Sequence, residues 1–324
     1  MWRCGTHLLD TSKPLIMGIL NVTPDSFSDG GRYYHDDTAA LELERACACA
    51  RGMTAAGAGI IDVGGESTRP GSEEVSAEVE LARVEPVVRA LVHEGLIVSI
   101  DTRHAEVAAA CVKRGASVIN DVTGFTQADM REVARRSEAG CMVVHMQGEP
   151  KSMQHAPHYD DVVQEVESFL LAQACVLREN GIARDRIVLD PGPGFGKSFE
   201  HNLALLRATA RLSSHGYPLV AAWSRKAFIG ALAGASAPDE RVAGSVEVAV
   251  YAALHGARIL RVHDVAPTAQ ALDALAQGSE IPGDMRRVQI LDMLAQGSKG
   301  FNNTRFAQAF DALAQSDKGF LIDD

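Results

Sequence analysis

The stretch MGILNVTPDSFSDGG, residues 17–31, decides how this chain is read. An apolar run from Leu15 to Leu20 stops at Asn21 and passes into a loop of small and polar residues. Asn21, Thr23, Asp25, Ser26, Ser28 and Asp29 crowd that loop. An apolar run of this length, bounded by Pro, Gly, Asn and Asp, predicts a buried strand. The loop after it, residues 22–31, has the glycines and small residues of a mobile lid.

The rest of the chain repeats the arrangement. Residues 38–57 are rich in Ala, Leu and Glu and end on Gly57, which predicts an amphipathic helix with a stop signal. A second apolar strand, 59–64, opens into Gly65-Glu66-Ser67-Thr68-Arg69-Pro70-Gly71. Further strands are expected at 96–100, 116–119, 141–144, 186–189, 218–223 and 257–260. Helices are expected at 76–94, 104–114, 128–139, 159–180, 200–214, 227–234, 239–256 and 267–277. Strict alternation with short loops implies parallel strands, because each return to the sheet needs a crossover. Eight such units in about 260 residues predict an α/β fold, a (β/α)₈ TIM barrel. A doubly wound open sheet is the alternative.

Barrel enzymes carry their sites at the C-terminal ends of the strands. The unusual polar residues of this chain fall there: Asn21, Arg69, Asp101, Asn120, His145, Asp190, Lys226, Arg261 and His263. Singly, Asp101 or Asn120 would cap a helix and Asp190 would begin a turn. Jointly they point to a site.

Composition bounds the partners. The chain has 324 residues, 46% hydrophobic and 23% charged, as in ordinary soluble domains. A formal net charge of -11 argues against nucleic acid or an anionic membrane as partner. It leaves room for an anionic small ligand held by a local cationic cluster. The cysteines Cys4, Cys47, Cys49, Cys111, Cys141 and Cys175 are scattered and read as reduced core thiols, which predicts a cytoplasmic setting. The N-terminus has no apolar signal core, and no run approaches the ~20 residues of a membrane span.

Two motifs invite over-reading. Gly192–Ser198, GPGFGKS, has three residues between Gly192 and Gly196-Lys197-Ser198, where a phosphate loop has four. Its glycines are read instead as permitting positive φ and close approach to a flat ligand. His7, His155, His158 and His255 are solitary and lack metal-ligand spacing.

The strand ends suit a definite chemistry. Asp101, Asn120 and Asp190 can pair with the N–H edge of a flat nitrogen heterocycle, with Lys226 donating to its carbonyl. Arg69, Arg261 and His263 form a cationic set, and barrels often bind phosphate after strands seven and eight. Mg²⁺ beside a diphosphate would find an oxygen ligand in Asn21. A heterocycle next to a diphosphate suggests substitution at carbon with diphosphate leaving.

These blocks resemble a known family. NVTPDSFSDGG, GGESTRPG, IDT at 100–102, IND at 119–121, HMQGEP, DPGPGFGK, SRKAFIG and RVHDV are similar to the dihydropteroate synthases, pterin-binding transferases of folate biosynthesis and targets of sulfonamides. The resemblance spans residues 15–276 in family order. It implies condensation of 6-hydroxymethyl-7,8-dihydropterin diphosphate with p-aminobenzoate, and a homodimer. It also implies roles. Asn21 coordinates Mg²⁺. Thr68, Asp101, Asn120, Met146, Asp190 and Lys226 hold the pterin, and Arg69, Arg261 and His263 the diphosphate. Ser67, Thr68, Pro70, Phe195 and Ser224 border the p-aminobenzoate site, with Asp101, Lys226 and Arg261 at the chemistry. Pro193 and Ala222-Trp223 depart from the family pattern and are expected to flank the pocket.

Two other readings share these features: a pterin-dependent methyltransferase domain and a non-catalytic pterin-binding paralogue. The first has no need of SRK and RVHDV around a diphosphate. The second should have lost Asn21 or Arg261, which are present. A 19-residue repeat marked by Leu272, Leu291 and Phe310 begins at the end of the last helix of the barrel, 1–282, and continues through an extension at 283–324. Short helices are expected there, without assigned chemistry.

Overall fold

The computed structural model describes residues 1–23, 36–66, 74–149, 151–233 and 237–277. The repeat-bearing extension and most of the first loop lie outside the described residues.

Eight parallel strands close into a barrel. They are β3 (Leu15–Asn21), β4 (Ile60–Gly64), β5 (Val98–Asp101), β6 (Val118–Asp121), β7 (Gly140–Val144), β8 (Ile187–Asp190), β9 (Leu219–Ala221) and β10 (Ala257–Val262). The ladder runs in chain order, and β10 pairs with β3 through Ile259↔Leu15 and Arg261↔Met17. That closure excludes the open sheet. The eight expected strands are the eight observed, with shifts at their ends.

Side-chain alternation sorts each strand into two faces. Ile16, Leu20, Ile61, Val63, Ile119 and Val143 pack outward against the helices. Met17, Ile60, Val118, Met142, Val188 and Ile259 fill the barrel interior. The same parity sends Asn21, Asp62, Asp101, Asn120, Asp190 and Arg261 inward, above that apolar plug.

The bottom of the barrel is sealed by a hairpin of β1 (Trp2–Cys4) and β2 (His7–Leu9). Trp2 is buried and donates from Nε1 to the Arg186 carbonyl at 3.0 Å. Arg3 bridges Glu138 and Asp185. Three-residue strands are too short for periodicity to reveal, and the hairpin is absent from the sequence reading.

Helix starts follow capping chemistry. The helix expected from residue 159 begins at Val162, because Asp161 accepts from the backbone N–H groups of Val163 and Gln164 at 3.0 Å. Tyr159 instead donates its hydroxyl to the Gly196 carbonyl. The single helix expected at 200–214 is two, Phe199–Arg207 and Thr209–Ser213. Thr209 Oγ1 donates to the Leu206 carbonyl at 2.6 Å at the break, competing with the helical ladder.

Of the cysteines, Cys49 and Cys175 are exposed, which corrects their reading as core thiols; all six are free. Among the described residues no helix is long and apolar enough to cross a membrane.

Candidate active site

Three strands, β4, β5 and β6, place two carboxylates and an amide beside the one arginine of β10. Arg261, at the end of β10, donates from Nε to Asp62 Oδ2 at 2.6 Å and from Nη2 to Asp101 Oδ2 at 2.5 Å. Asn120 donates from Nδ2 to the same Asp62 Oδ2 at 3.0 Å. The register sets this up: Gly64 pairs with Asp101, and Asp101 with Asn120. A guanidinium between two carboxylates is a strong, directional arrangement. Burial opposes the Arg261 charge, but Asp62 and Asp101 outweigh it and raise its pKa.

Asp62 is the residue that sequence reading missed. It lies inside the apolar run GIIDVG, two residues before the strand end. The available signal was a carboxylate amid Ile, Val and Gly, where the apolar run alone drew attention. Its Oδ1 and Asn120 Oδ1 are buried acceptors without a partner among the described residues. Buried acceptors want donors, and a flat heterocycle with an N–H edge supplies them. Asp190, also inward, accepts from the Gly192 N–H at 2.7 Å.

Lys226 completes the polar layer. Its Nζ donates to the Pro193 carbonyl and sits 4.5 Å from the centre of the half-buried Phe195 ring. Burial lowers its pKa to about 8, helped by Arg261 and opposed by Asp190 and Asp101. Burial likewise raises the Asp101 carboxyl to about 7, with Asp62 and Glu80 adding to it and Arg261 and Lys226 opposing. Burial also raises Asp190. These are the perturbations expected where titratable groups are held for chemistry.

Ser224 and His263 meet at the ends of β9 and β10. Ser224 Oγ accepts from the His263 backbone N–H at 3.1 Å and lies 3.1 Å from its Nδ1. Between Ser224 and Lys226, Arg225 turns the chain at φ 57° and forks onto Asp264. Met146 is half-buried after β7.

Some expected site residues go elsewhere. His145 does not face the mouth. Outward parity buries it against Phe169, 5.0 Å ring to ring and edge-on, and its Nδ1 lies 2.9 Å from Lys197 Nζ. Burial, with the Lys197 charge, pushes its pKa down to about 3. Lys197 also donates to the Gly192 and Phe195 carbonyls and so ties the 190–197 loop together. The glycines of that loop do adopt positive φ, at Gly192 and Gly196 among others. The close neighbours of Gly192 and Gly196 are the backbones of His145 and Gln147, whereas Gly194 lies beside the Lys226 side chain of the pocket. A methyl at Gly192 would fall 1.8 Å from the His145 oxygen. Trp223 packs on Phe228 in the outer layer, whereas Ala222 faces the barrel interior; of these two departures only Ala222 faces inward. Ser67, Thr68, Arg69 and Pro70 lie outside the described residues.

Asn21 has the chemistry of a hard-cation ligand. Gly64 lies between it and Asp101: a methyl on Gly64 would stand 3.9 Å from Asn21 Oδ1 and 3.8 Å from Asp101 Oδ2, in ordinary contact with both. An amide oxygen beside a carboxylate is the kind of donor set that Mg²⁺ with phosphate oxygens takes. A second group, Glu66, Glu80 and His104, also offers ligand atoms within 4.8 Å of one another. There both Glu66 oxygens accept from the Arg103 guanidinium at 3.0 Å, a cation that opposes a metal.

Comparisons with known proteins place the chain in a family. The family model described as pterin binding enzyme matches residues 17–263. The dihydropteroate synthase of Escherichia coli (strain K12) is 46% identical over 269 residues, covering 83% of this chain and 92% of that relative. Among solved structures, Xanthomonas albilineans dihydropteroate synthase with 4-aminobenzoic acid superposes with a TM-score of 0.77 at 43% identity, covering 85% of this chain and 96% of that one. Burkholderia cenocepacia dihydropteroate synthase complexed with 7,8-dihydropteroate gives 0.76 at 42% identity, with 85% and 95% covered. Fold and site together define a pterin-binding enzyme. Within that class, the chain belongs to the dihydropteroate synthase family.

Proposed function

We propose that this protein condenses 6-hydroxymethyl-7,8-dihydropterin diphosphate with p-aminobenzoate, yielding 7,8-dihydropteroate and diphosphate. The observation that carries this reading is the joining of buried acceptors to cations at one barrel mouth, through Asp62, Asn120 and Arg261.

The pterin ring would rest against Asp101, Asn120, Met146 and Asp190, with Lys226 donating to its carbonyl. Arg261 and His263 would face the diphosphate. The bond from the pterin methylene carbon to the diphosphate oxygen breaks, and the electron pair leaves with the diphosphate. Asp101 stabilises the positive charge that develops on the methylene. The p-aminobenzoate nitrogen, bordered by Phe195 and Ser224, then forms the new C–N bond and loses a proton. Asn21 would hold Mg²⁺, which when bound supplies charge neutralisation at the diphosphate.

The further readings are proposals on the same footing. Residues 1–282 form the catalytic domain and 283–324 an extension. The protein works as a homodimer, which sedimentation measures. Free thiols suit a reducing cytoplasm.

The test is direct. Purified protein is incubated with Mg²⁺, the pterin diphosphate and labelled p-aminobenzoate, and labelled dihydropteroate is expected. Absence of product from protein that binds the pterin diphosphate would reject the reading.

A further inference from the structure

Asp62 holds a position that no motif of the chain draws attention to, yet it touches both halves of the polar layer. Its Oδ2 accepts from Asn120 Nδ2 and from Arg261 Nε. Asp62 and Asn120 are both almost wholly enclosed, at 0% and 2% exposed. Among the described residues the Oδ1 of each has no hydrogen-bond partner.

A side-chain amide has two ends of similar shape and opposite polarity, and its neighbours decide which end points where. A carboxylate paired with a guanidinium can only accept. With Asn120 reversed, two acceptor oxygens would meet 3.0 Å apart in a buried site, at the cost of an unpaired acceptor on each side. The Asp62 carboxylate therefore selects the orientation in which Asn120 Nδ2 faces Asp62 and Oδ1 faces away.

We infer that Asp62 is a specificity-determining positioning residue, which turns the Asn120 amide so that this wall of the pocket offers acceptors to a donor-rich heterocycle edge. A dihydropterin carries ring N–H and amino groups on such an edge. Rings that present acceptors there would meet oxygen against oxygen. Because one oxygen serves both Asn120 and Arg261, the ring wall and the cationic group keep a fixed spacing. This inference rests on the proposed use of the site for a pterin.

The test compares wild type with Asp62→Asn. Calorimetry measures binding of 6-hydroxymethyl-7,8-dihydropterin without its diphosphate, so that contacts to the anion do not enter. Ring affinity should fall by about tenfold, the scale of one misplaced buried hydrogen bond. In turnover, KM for the pterin diphosphate should rise while KM for p-aminobenzoate stays within about twofold, since the affected amide lies on the ring wall. Unchanged ring affinity, or an equal rise in both KM values, overturns the inference.

If Asp62→Asn does not fold, the wild type decides. In asparagine-labelled protein, the Asn120 side-chain N–H pair should stay protected from exchange before and after the ring binds. A freely exchanging amide would overturn the proposal. A wild type that binds the ring but makes no dihydropteroate would reject the enzyme reading and leave the Asp62 comparison decisive. A wild type that binds no ring rejects both.

Discussion

Arg261 Nη2 donates to Asp101 Oδ2 at 2.5 Å, across a barrel closed between residues 160 positions apart in the chain. The carboxylate proposed to meet a developing cation is thus already paired with one of the cations proposed to meet the leaving diphosphate.

Asp101→Asn should lower kcat by roughly 10²- to 10³-fold, the usual loss on removing one preorganised electrostatic group. The shape is conserved and Arg261 keeps Asp62, so the thermal unfolding midpoint should change little. In wild type the Asp101 carboxyl, raised by burial to about 7, must be ionised to act. Turnover should therefore fall as pH drops through about 7, and steady-state rates against pH check this.

Lys226 titrates at about 8. Its ammonium is needed for donation, so pterin affinity should weaken as pH rises through that value. Lys226→Met should abolish this alkaline limb and weaken binding at pH 7 by about tenfold. The sign for stability is the reverse. The folded pKa lies below the unfolded value of about 10.4, so the folded state releases its proton first and this group's contribution improves as pH rises from 8 towards that value.

Chelation should stop turnover, and added Mg²⁺ should restore it. Asn21→Ala removes the proposed oxygen ligand and should raise the Mg²⁺ needed for half-maximal rate by at least about tenfold, one lost ligand's worth. An unchanged Mg²⁺ requirement would remove Asn21 from the metal's coordination.

Glu247 sits in the helix Val242–Leu254 with Oε2 buried and without a partner among the described residues. Burial pushes its pKa up to about 9. The folded state thus keeps a proton that the unfolded chain loses near about 4.3, and stability falls as pH rises through that window to 9. Glu247→Gln should flatten this dependence. At pH 8 it should raise the unfolding midpoint by about 2–4 °C for each kcal/mol gained. Calorimetric melts of both proteins at several pH values read this directly.

Trp2→Ala should cost about 3–5 kcal/mol, because a wholly buried indole and its bond to the Arg186 carbonyl are lost at the barrel floor. The mouth lies at the other end, so the protein that remains folded should keep its KM values. Denaturant unfolding and steady-state kinetics separate the two effects.

The strand–helix alternation and the polar residues at the strand ends were legible in the chain itself, because they depend on local rules: period-two burial, crossover connections and helix stops. Parity along a strand is equally local, and it aims Asn21, Asp101, Asn120, Asp190 and Arg261 inward. Long-range placement was not legible. Asp62 looked like part of an apolar strand until closure set it 2.6 Å from Arg261, 199 residues away. His145 looked like a mouth residue until Lys197 and the Phe169 ring, both distant in the chain, held it beneath the loop. The loop glycines kept their positive φ, but folding determined that the backbone of β7's exit approaches Gly192 and Gly196, while Gly194 stands beside Lys226. The sequence by itself determined which chemical groups stand at the strand ends. Only the tertiary structure decided which of them share a hydrogen bond, because barrel closure and buried charge pairing act between residues that no local pattern connects.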